Sequence, residues 1–215
     1  MTTISLRRYT TLPFLFDILN RKSLTLLDPR SWEDKDDAYY IELYKQYQGL
    51  KSVLVLCFAE SKASYHHWKI YSGNSSGVCI IFRKKILLQN LTVQGLRSGY
   101  VEYKTLTQLK RERTEISQFP FIKTKAFEAE REFRAIYEDK NNEYMTKEFQ
   151  LDIKSIEKIA LNPWLSESVC DSLKAVIKKI DGCEKIKVTR ATVTNNEKWK
   201  KIGRAVILNN TPEDQ

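Results

Sequence analysis

The segment from Lys125 to Arg134 contains the acidic residues whose spacing best suits chemistry, with Glu128, Glu130 and Glu132 at alternate positions. In an extended segment, side chains two positions apart share a face, so a Glu-x-Glu pair places two carboxylates about 6–7 Å apart on one side. One carboxylate could stabilise an oxocarbenium-like sugar centre while the other acts on the incoming nucleophile. Two other geometries stay open: a charged edge that blunts a sheet, and a solvated helical pair of Glu130 with Arg134.

Arg7, Arg8 and Tyr9 form a second candidate group, at the end of a short predicted strand. The guanidinium fork of an arginine matches the geometry of oxyanions, so Arg8 could grip a phosphate or a ribose. The alternative is an ordinary surface arginine without a ligand.

A third group contains the two histidines of the chain, His66 and His67, followed by Trp68 and Tyr71. On a helix, Trp68 and Tyr71 share a face and His67 neighbours Tyr71. The adjacent histidines point about 100° apart, which makes them a poor chelating pair. A core Trp and Tyr beside a partly exposed His is the alternative. The spacing indicates no Ser–His–Asp or Cys–His arrangement and no glycine-rich phosphate loop.

The charge balance favours anionic partners. With 36 basic and 27 acidic residues among 215, the chain has a formal net charge of +9, which suits contact with nucleic acid or nucleotides. The four cysteines lack the short spacing of a zinc site, so we expect reduced thiols and predict no metal. No segment approaches the roughly 20 apolar residues of a membrane span, and no signal-peptide run follows Arg7 and Arg8. The expected compartment is therefore the cytosol, without membrane contact.

The elements that must position these residues are many strands with a few interspersed helices. A continuous apolar run from Ser52 to Phe58 is typical of a central strand, and Gly77 to Phe82 predicts another buried strand. Ser166 is expected to cap the clearest helix. The predicted fold class is α+β, with a mixed, curved (split) β-sheet core. We expect a single domain over residues 1–208 and a disordered polar tail over 209–215.

The order of these features resembles the bacterial family known as domain of unknown function 2971, over most of residues 6–180. The resemblance rests on short motifs: Arg8-Tyr9-Thr10-Thr11, Cys57-Phe58, Trp68 with Tyr71, Asn74, Gly77 with the strand that follows it, Lys125, Phe127, Glu130, Glu132, Phe133 and Arg134, and Ile159 to Pro163. The family's Asn-Asp-Pro is replaced here by an acidic loop, Trp32-Glu33-Asp34, that lacks the proline. The family name itself implies no function.

A second resemblance does imply a function. An arginine in the first strand, a helix, a central strand and a late Glu-x-Glu are similar to the arginine, serine, glutamate layout of ADP-ribosyltransferases, which bind NAD in a cleft between two curved sheets. The resemblance implies that Arg8 holds a phosphate or ribose of NAD and that Glu132 is the catalytic acid bonded to the nicotinamide ribose. Glu130 would activate the acceptor, and Ser61 would be the serine, although it lies late and the expected Ser-Thr-Ser is absent.

The predicted site therefore combines catalytic and binding residues, with NAD as a substrate. The catalytic residues are Glu132 and Glu130, and the substrate-binding residues are Arg8, Tyr9, Ser61, Trp68, Tyr71 and Arg134. Within this set, we expect Arg134 to orient the carboxylates, since it shares their face in an extended segment.

The leading hypothesis is an ADP-ribosyltransferase-like enzyme that modifies a nucleic acid or protein target, in a toxin or a phage-defence system. Two alternatives stay open. One is a non-catalytic nucleic-acid-binding module of a bacterial defence system, using the basic segments 104–113 and 174–204. The other is a metal-dependent nuclease with Asp36, Asp37 and the Glu-x-Glu pair as ligands.

Overall fold

The computed structural model describes residues 5–61, 63–71 and 75–210. The strands are β1 (Ser5–Thr11), β2 (Ser23–Leu27), β3 (Ser52–Ala59), β4 (Gly77–Arg83), β5 (Arg97–Tyr100), β6 (Glu102–Lys104), β7 (Ile122–Thr124), β8 (Glu132–Asp139), β9 (Thr146–Gln150), β10 (Ile156–Leu161) and β11 (Lys187–Arg190). The helices are α1 (Leu12–Arg21), α2 (Lys35–Tyr47), α3 (Tyr65–Tyr71), α4 (Lys84–Val93), α5 (Leu106–Arg111), α6 (Glu167–Lys178) and α7 (Glu197–Asn210). Short 3-10 helices cover Pro29–Ser31, Ile116–Phe121, Lys125–Glu130 and Ile153–Ser155.

Most strands join one mixed sheet, which has nine strands within the described ranges. Its main order is β11-β10-β4-β1-β3-β2-β9, and β8 pairs with β3 on one side and β5 on the other. The β10–β11 pair is parallel, whereas β3 runs antiparallel to β1, β2 and β8. A separate parallel pair is formed by β6 and β7. The predicted α+β class with a mixed sheet is confirmed.

The sheet forks at β3. One edge of β3 pairs with β8 along its whole length, from Ser52 opposite Asp139 to Ala59 opposite Glu132. The other edge is shared, because β2 pairs with it at Val55 and β1 pairs with it at Ala59. Between those two points β1 and β2 diverge and leave a gap beside β3.

The alternating side chains of β3 explain its continuous apolar run. Leu54, Leu56 and Phe58 belong to the main core, where α1, α4 and α6 contribute their buried residues. Val53 and Val55 belong to a second cluster, with Ile41 and Tyr44 of α2. Because both faces of β3 are covered, polar residues have no solvent-facing positions in its centre.

The segment with the alternating glutamates differs from both predicted geometries. Lys125–Glu130 is a 3-10 helix, so Glu128 and Glu130 lie neither on a strand nor on an α-helix. Arg131 ends this helix in the left-handed conformation, with φ of 45°, and the strand begins only at Glu132. Glu132 and Arg134 do share a face of β8, as the alternation predicts.

The C-terminal part follows the sequence pattern up to its last helix. Ser166 caps α6, since its hydroxyl accepts a hydrogen bond from the Val169 amide at 3.4 Å. Helix α7 extends through Asn210, and residues 211–215 lie outside the described part. The single domain over 1–208 and the polar tail over 209–215 stay predictions. Among the described helices, none has the length and apolar character needed to span a bilayer.

Candidate active site

A cavity of about 350 Å³ opens where the sheet forks. Its volume lies in the lower part of the range found for small-molecule sites, about 300–1,000 Å³. Residues from β1, β2, β3, β7 and β8 line it, together with the first turn of α2, the end of α3 and the 3-10 helix before β8. The lining residues are Arg7, Arg8, Tyr9, Leu27, Trp32, Asp34, Asp37, Val55, Cys57, Phe58, Ala59, Tyr71, Lys123, Glu130 and Glu132.

Arg134 lies behind the cavity wall and joins two of its carboxylates. Its Nε donates to Glu132 Oε1 at 2.5 Å, and one terminal nitrogen donates to Glu132 Oε2 at 3.0 Å. Both terminal nitrogens also donate to Asp37, and one of them donates to the Pro120 carbonyl at 2.9 Å. The five N–H groups of this guanidinium therefore all have acceptors. Arg134 fixes the orientation of Glu132 and Asp37 and has no donor left for a ligand.

Lys123 stands among the same acids. Its Nζ lies 2.8 Å from Glu130, 3.6 Å from Glu132, and 3.7 Å from both Asp34 and Asp37. Glu130 and Glu132 thus converge on one ammonium group although they belong to different elements. The cluster combines four carboxylates with two cationic side chains, so it favours a positively charged group in the cavity.

The pKa values of the two carboxylates that share Arg134 are shifted in opposite directions. Burial raises the pKa of Glu132, but the charge and hydrogen bonds of Arg134, with Lys123, bring it below its ordinary value. For Asp37, burial outweighs the attraction of Arg134, and its pKa is raised. The environment of Glu132 therefore favours its ionised form, as suits an acid in an active site.

An aromatic wall borders the cavity near β1 and α3. The rings of Tyr9 and His67 stack with centroids 5.7 Å apart, and Tyr71 lies 6.1 Å from Tyr9. Ser61 Oγ lies 3.0 Å from His67 Nε2, and Ser64 Oγ lies 2.5 Å from Nδ1, so each ring nitrogen has a hydroxyl partner. Burial lowers the pKa of His67. A neutral, doubly hydrogen-bonded imidazole therefore holds Tyr9 in place.

Arg8 is a cationic side chain of the cavity with a single hydrogen-bond partner among the described residues. Its terminal nitrogen donates to the Cys57 carbonyl at 3.3 Å, across the gap between β1 and β3. Its Nε has no hydrogen-bond acceptor among the described residues, and burial lowers the pKa of the guanidinium. Arg7 also has no carboxylate partner in the described ranges, and it donates to the Ser61 carbonyl at 2.7 Å. An anionic ligand would supply the acceptor that Arg8 lacks.

The structure brings most of the predicted site residues together. Five line the cavity: Arg8, Tyr9, Tyr71, Glu130 and Glu132. Ser61 lies just behind them through its bond to His67. Trp68 and Arg134, which complete the predicted set, are fully buried outside the lining, and Trp68 packs edge-on against Tyr9 at 5.5 Å. Their placement makes them supports of the wall.

Sequence reasoning missed Lys123 and gave His67 no role. Asp37 appeared only as a metal ligand of the nuclease alternative, yet both of its oxygens bind Arg134. The described residues contain no group of His, Cys, Asp or Glu side chains arranged to hold a metal ion. A signal for Asp37 exists, because Asp34 caps α2 and so places Asp37 in the first turn. No local pattern marks Lys123.

This arrangement is suited to a ligand with separated charges. Arg7 and Arg8 offer guanidinium groups to an anion, whereas Glu130 and Glu132 offer carboxylates to a cationic or hydroxyl-bearing part. Tyr9 and Tyr71 provide rings between them. Such a site can bind a nucleotide and stabilise positive charge on an attached sugar.

The solved structures that this chain resembles include three of DarT from Thermus sp. 2.9. The complex with carba-NAD+ is 14% identical, with a TM-score of 0.45, and the match covers 89% of this chain and 97% of that chain. The complex with ADP-ribosylated ssDNA is 15% identical, with a TM-score of 0.45 and coverage of 89% and 95%. The complex with NAD+ is 13% identical, with a TM-score of 0.44 and coverage of 89% and 96%.

Among curated proteins, none matches the sequence. The profile of the family described as Protein of unknown function (DUF2971) matches residues 67–201, more than half of the chain. That range extends from α3 into α7 and includes Lys123, Glu130, Glu132 and Arg134. The chain belongs to this family of proteins of unknown function, DUF2971.

Proposed function

We propose that this protein is an ADP-ribosyltransferase-like enzyme that uses NAD to modify a nucleic acid or protein target. The observation that carries the proposal is one cavity lined by both the under-partnered Arg8 and the ionised Glu132. They belong to strands on either side of β3, about two strand spacings or 10 Å apart. That separation leaves room for a ribose between a phosphate held by Arg8 and a carboxylate at its anomeric carbon.

The residues of the cavity fit the parts of NAD. Arg8, with Arg7 beside it, would bind the pyrophosphate and supply the acceptor missing at Nε. Tyr9 and Tyr71 would contact the nicotinamide ring. The excess of carboxylates around Lys123 complements the positive charge of that ring.

Glu132 and Glu130 would divide the chemistry. The bond from ribose C1′ to the nicotinamide nitrogen breaks, and its electron pair neutralises the ring. Glu132, held by Arg134, stabilises the positive charge that develops on the ribose and accepts a hydrogen bond from its hydroxyl. The acceptor forms the new bond to C1′, and Glu130 takes the proton that the acceptor loses.

The test is to incubate the protein with NAD labelled in its adenosine part, together with cell lysate and nucleic acid, and to follow nicotinamide release and label transfer. We expect both signals for the wild type and their loss in Glu132→Gln. Glu128→Gln is the matched control, since Glu128 is exposed, pairs with Lys125 and does not line the cavity. Wild-type protein that neither releases nicotinamide nor transfers label would overturn the proposal.

A cellular role in toxicity or phage defence would rest on the same site. Induced expression of the wild type would then arrest bacterial growth or phage replication, and Glu132→Gln would not. Equal effects of the two proteins on both readouts would remove this cellular role and leave the enzymatic proposal to the assay with labelled NAD.

A further inference from the structure

An exposed set of aromatic and basic side chains lies beside α3, outside the cavity. We define this aromatic–basic patch as Tyr65, Lys69, Trp164, Trp199 and Lys200. The exposed fractions of the three aromatic side chains are 48% for Tyr65, 44% for Trp164 and 78% for Trp199. Large aromatic surfaces exposed together are uncommon on proteins without a partner.

The patch has an internal geometry. The rings of Tyr65 and Trp164 meet edge to face with centroids 5.9 Å apart. Lys69 Nζ lies 4.5 Å from the Trp164 centroid and 5.7 Å from that of Tyr65. A shallow depression continues the patch, because Ala63, two residues before Tyr65, lines it together with Trp199 and Lys200. The uncharged segment 192–196 forms the rest of its border.

The charge around the patch is positive. Helix α7, which contains Trp199, has four basic residues and one acidic residue, Glu197. Lys200 pairs with Glu197 on the surface, where such a pair is weak and open to competition by a phosphate. Helix α3 adds Lys69 and has no acidic residue.

Helix α3 connects the patch to the candidate active site. Tyr65 and Lys69 belong to the patch, whereas the last residue of the helix, Tyr71, lines the cavity on a different face. A strand bound along the patch would reach the cavity by passing around the end of α3, over about one helix diameter or 10 Å.

We propose that the aromatic–basic patch binds single-stranded nucleic acid and presents it as the acceptor; the acceptor role rests on the proposed function. Exposed aromatic faces stack on unpaired bases whatever their sequence, and interleaved lysines neutralise the backbone phosphates. In a duplex the base faces are already stacked on each other, so the rings of the patch would find no partner. The same chemistry applies to single-stranded DNA and to single-stranded RNA.

The experiment measures fluorescence anisotropy of labelled oligonucleotides of about 12 nucleotides, with deoxythymidine and uridine homopolymers as separate arms and a duplex as competitor. We expect Trp164→Ala and Trp199→Ala each to weaken single-strand binding roughly 5- to 150-fold, the range for losing one stacking surface. Lys69→Ala should reduce the slope of affinity against salt by about 0.7. The relative affinities of the two homopolymers decide between DNA and RNA.

The controls are an aromatic and a basic side chain near the start of β3, at the other end of that strand from the patch. Tyr47→Ala removes a ring that is 70% exposed at the end of α2, and Lys140→Ala removes an exposed charge just after β8. Neither should change single-strand affinity. Wild-type affinity in both tryptophan variants, or tighter binding of the duplex, would overturn the proposal.

Nicotinamide release from NAD without an acceptor separates this proposal from the enzymatic one. If nicotinamide is still released but the tryptophan substitutions leave oligonucleotide affinity unchanged, the patch proposal fails and the enzyme proposal stands. If the tryptophans control binding but no nicotinamide is released under any condition, the single-strand surface stands and its role as acceptor site is lost.

Discussion

Arg134 and Asp37, 97 positions apart in the sequence, form a buried ion pair in which each terminal guanidinium nitrogen donates to a different carboxylate oxygen. The remaining donors of Arg134 bind Glu132 and a backbone carbonyl, so α2 is tied to β8 through one side chain. The orientation of the candidate catalytic acid therefore depends on the position of a helix that begins almost a hundred residues earlier.

Replacement of Asp37 by Asn is expected to destabilise the fold by roughly 3 kcal/mol, the low end of the range for breaking a buried pair, because Glu132 still pairs with Arg134. Chemical denaturation monitored by fluorescence measures the loss. Asp36→Asn changes the exposed neighbour in the same turn and should stay within about 0.5 kcal/mol of the wild type. Equal stability of the two variants would show that the buried pair contributes nothing.

Replacement of Arg8 by Met should separate stability from binding. The buried guanidinium has an unsatisfied Nε and no carboxylate partner in the described ranges, so an apolar chain of similar length should leave the Tm unchanged or raise it. Affinity for NAD, measured by calorimetry, should fall roughly 10- to 150-fold, as for the loss of a charge-assisted hydrogen bond.

Arg83→Met is the matched control for Arg8, on the neighbouring strand β4. Arg83 donates to the carbonyls of Lys154 and Ile156 at 2.7 and 2.8 Å, so its loss should lower the Tm and leave NAD affinity unaltered. Unchanged NAD affinity in Arg8→Met would contradict the assignment of Arg8 as the anion-binding group.

Lys123→Met should move the acid limb of the pH–rate profile. Lys123 and Arg134 together hold the pKa of Glu132 below its ordinary value against the opposing effect of burial, so the pKa rises when the ammonium is removed. If ionised Glu132 is the active form, activity is lost as pH falls through that pKa. The acid limb of kcat/KM for nicotinamide release should then shift to higher pH by about one unit.

Lys125→Met serves as the control, because Lys125 is exposed and pairs with Glu128 outside the cavity. Its acid limb should coincide with that of the wild type. A limb that stays in place in Lys123→Met would mean that Glu132 is not the group whose ionisation limits the rate.

The buried imidazole of His67 should make the free energy of unfolding depend on pH. Burial lowers its pKa in the folded state, so the unfolded chain binds the proton more readily. Its contribution is fully present above the ordinary histidine pKa of about 6.5 and is lost as pH falls below that value toward the lowered folded pKa. Thermal melts of His67→Gln should show a flatter dependence of Tm on pH in this window than the wild type.

His66→Gln replaces the exposed neighbour on the same helix and should keep the wild-type slope of Tm against pH. The same slope in all three proteins would indicate that the buried imidazole does not couple folding to protonation in this range.

The parts of the fold that sequence predicts are those with a local signature. The apolar run in β3 follows from coverage of both sheet faces, and the start of α6 follows from the Ser166 cap. Helix α7 has a cap at its start, since the Asn196 side chain accepts from the Lys198 and Trp199 amides, but none of its side chains described by the structure is buried against the core. Helix α4 starts directly after β4 at Arg83, whose side chain makes no capping bond.

Some features of the candidate site can likewise be predicted from local sequence, whereas others depend on tertiary packing. The shared face of Glu132 and Arg134 follows from strand alternation, which sequence alone displays. Lys123 meets acids from α2, the 3-10 helix and β8, and this meeting depends on how three distant segments pack. The left-handed Arg131, which lets Glu130 and Glu132 converge from different elements, has no residue-type signal, since glycine is the usual occupant of that conformation.

The cavity results from the pairing of the strands around β3 rather than from one particular set of side chains. Strands β1 and β2 meet β3 at Ala59 and Val55, and the hollow between them follows from the divergence of these two strands. Substitutions of the lining residues that conserve side-chain volume should therefore change what the hollow recognises without closing it. Members of a family built on this sheet can keep one architecture while they diverge in ligand and chemistry.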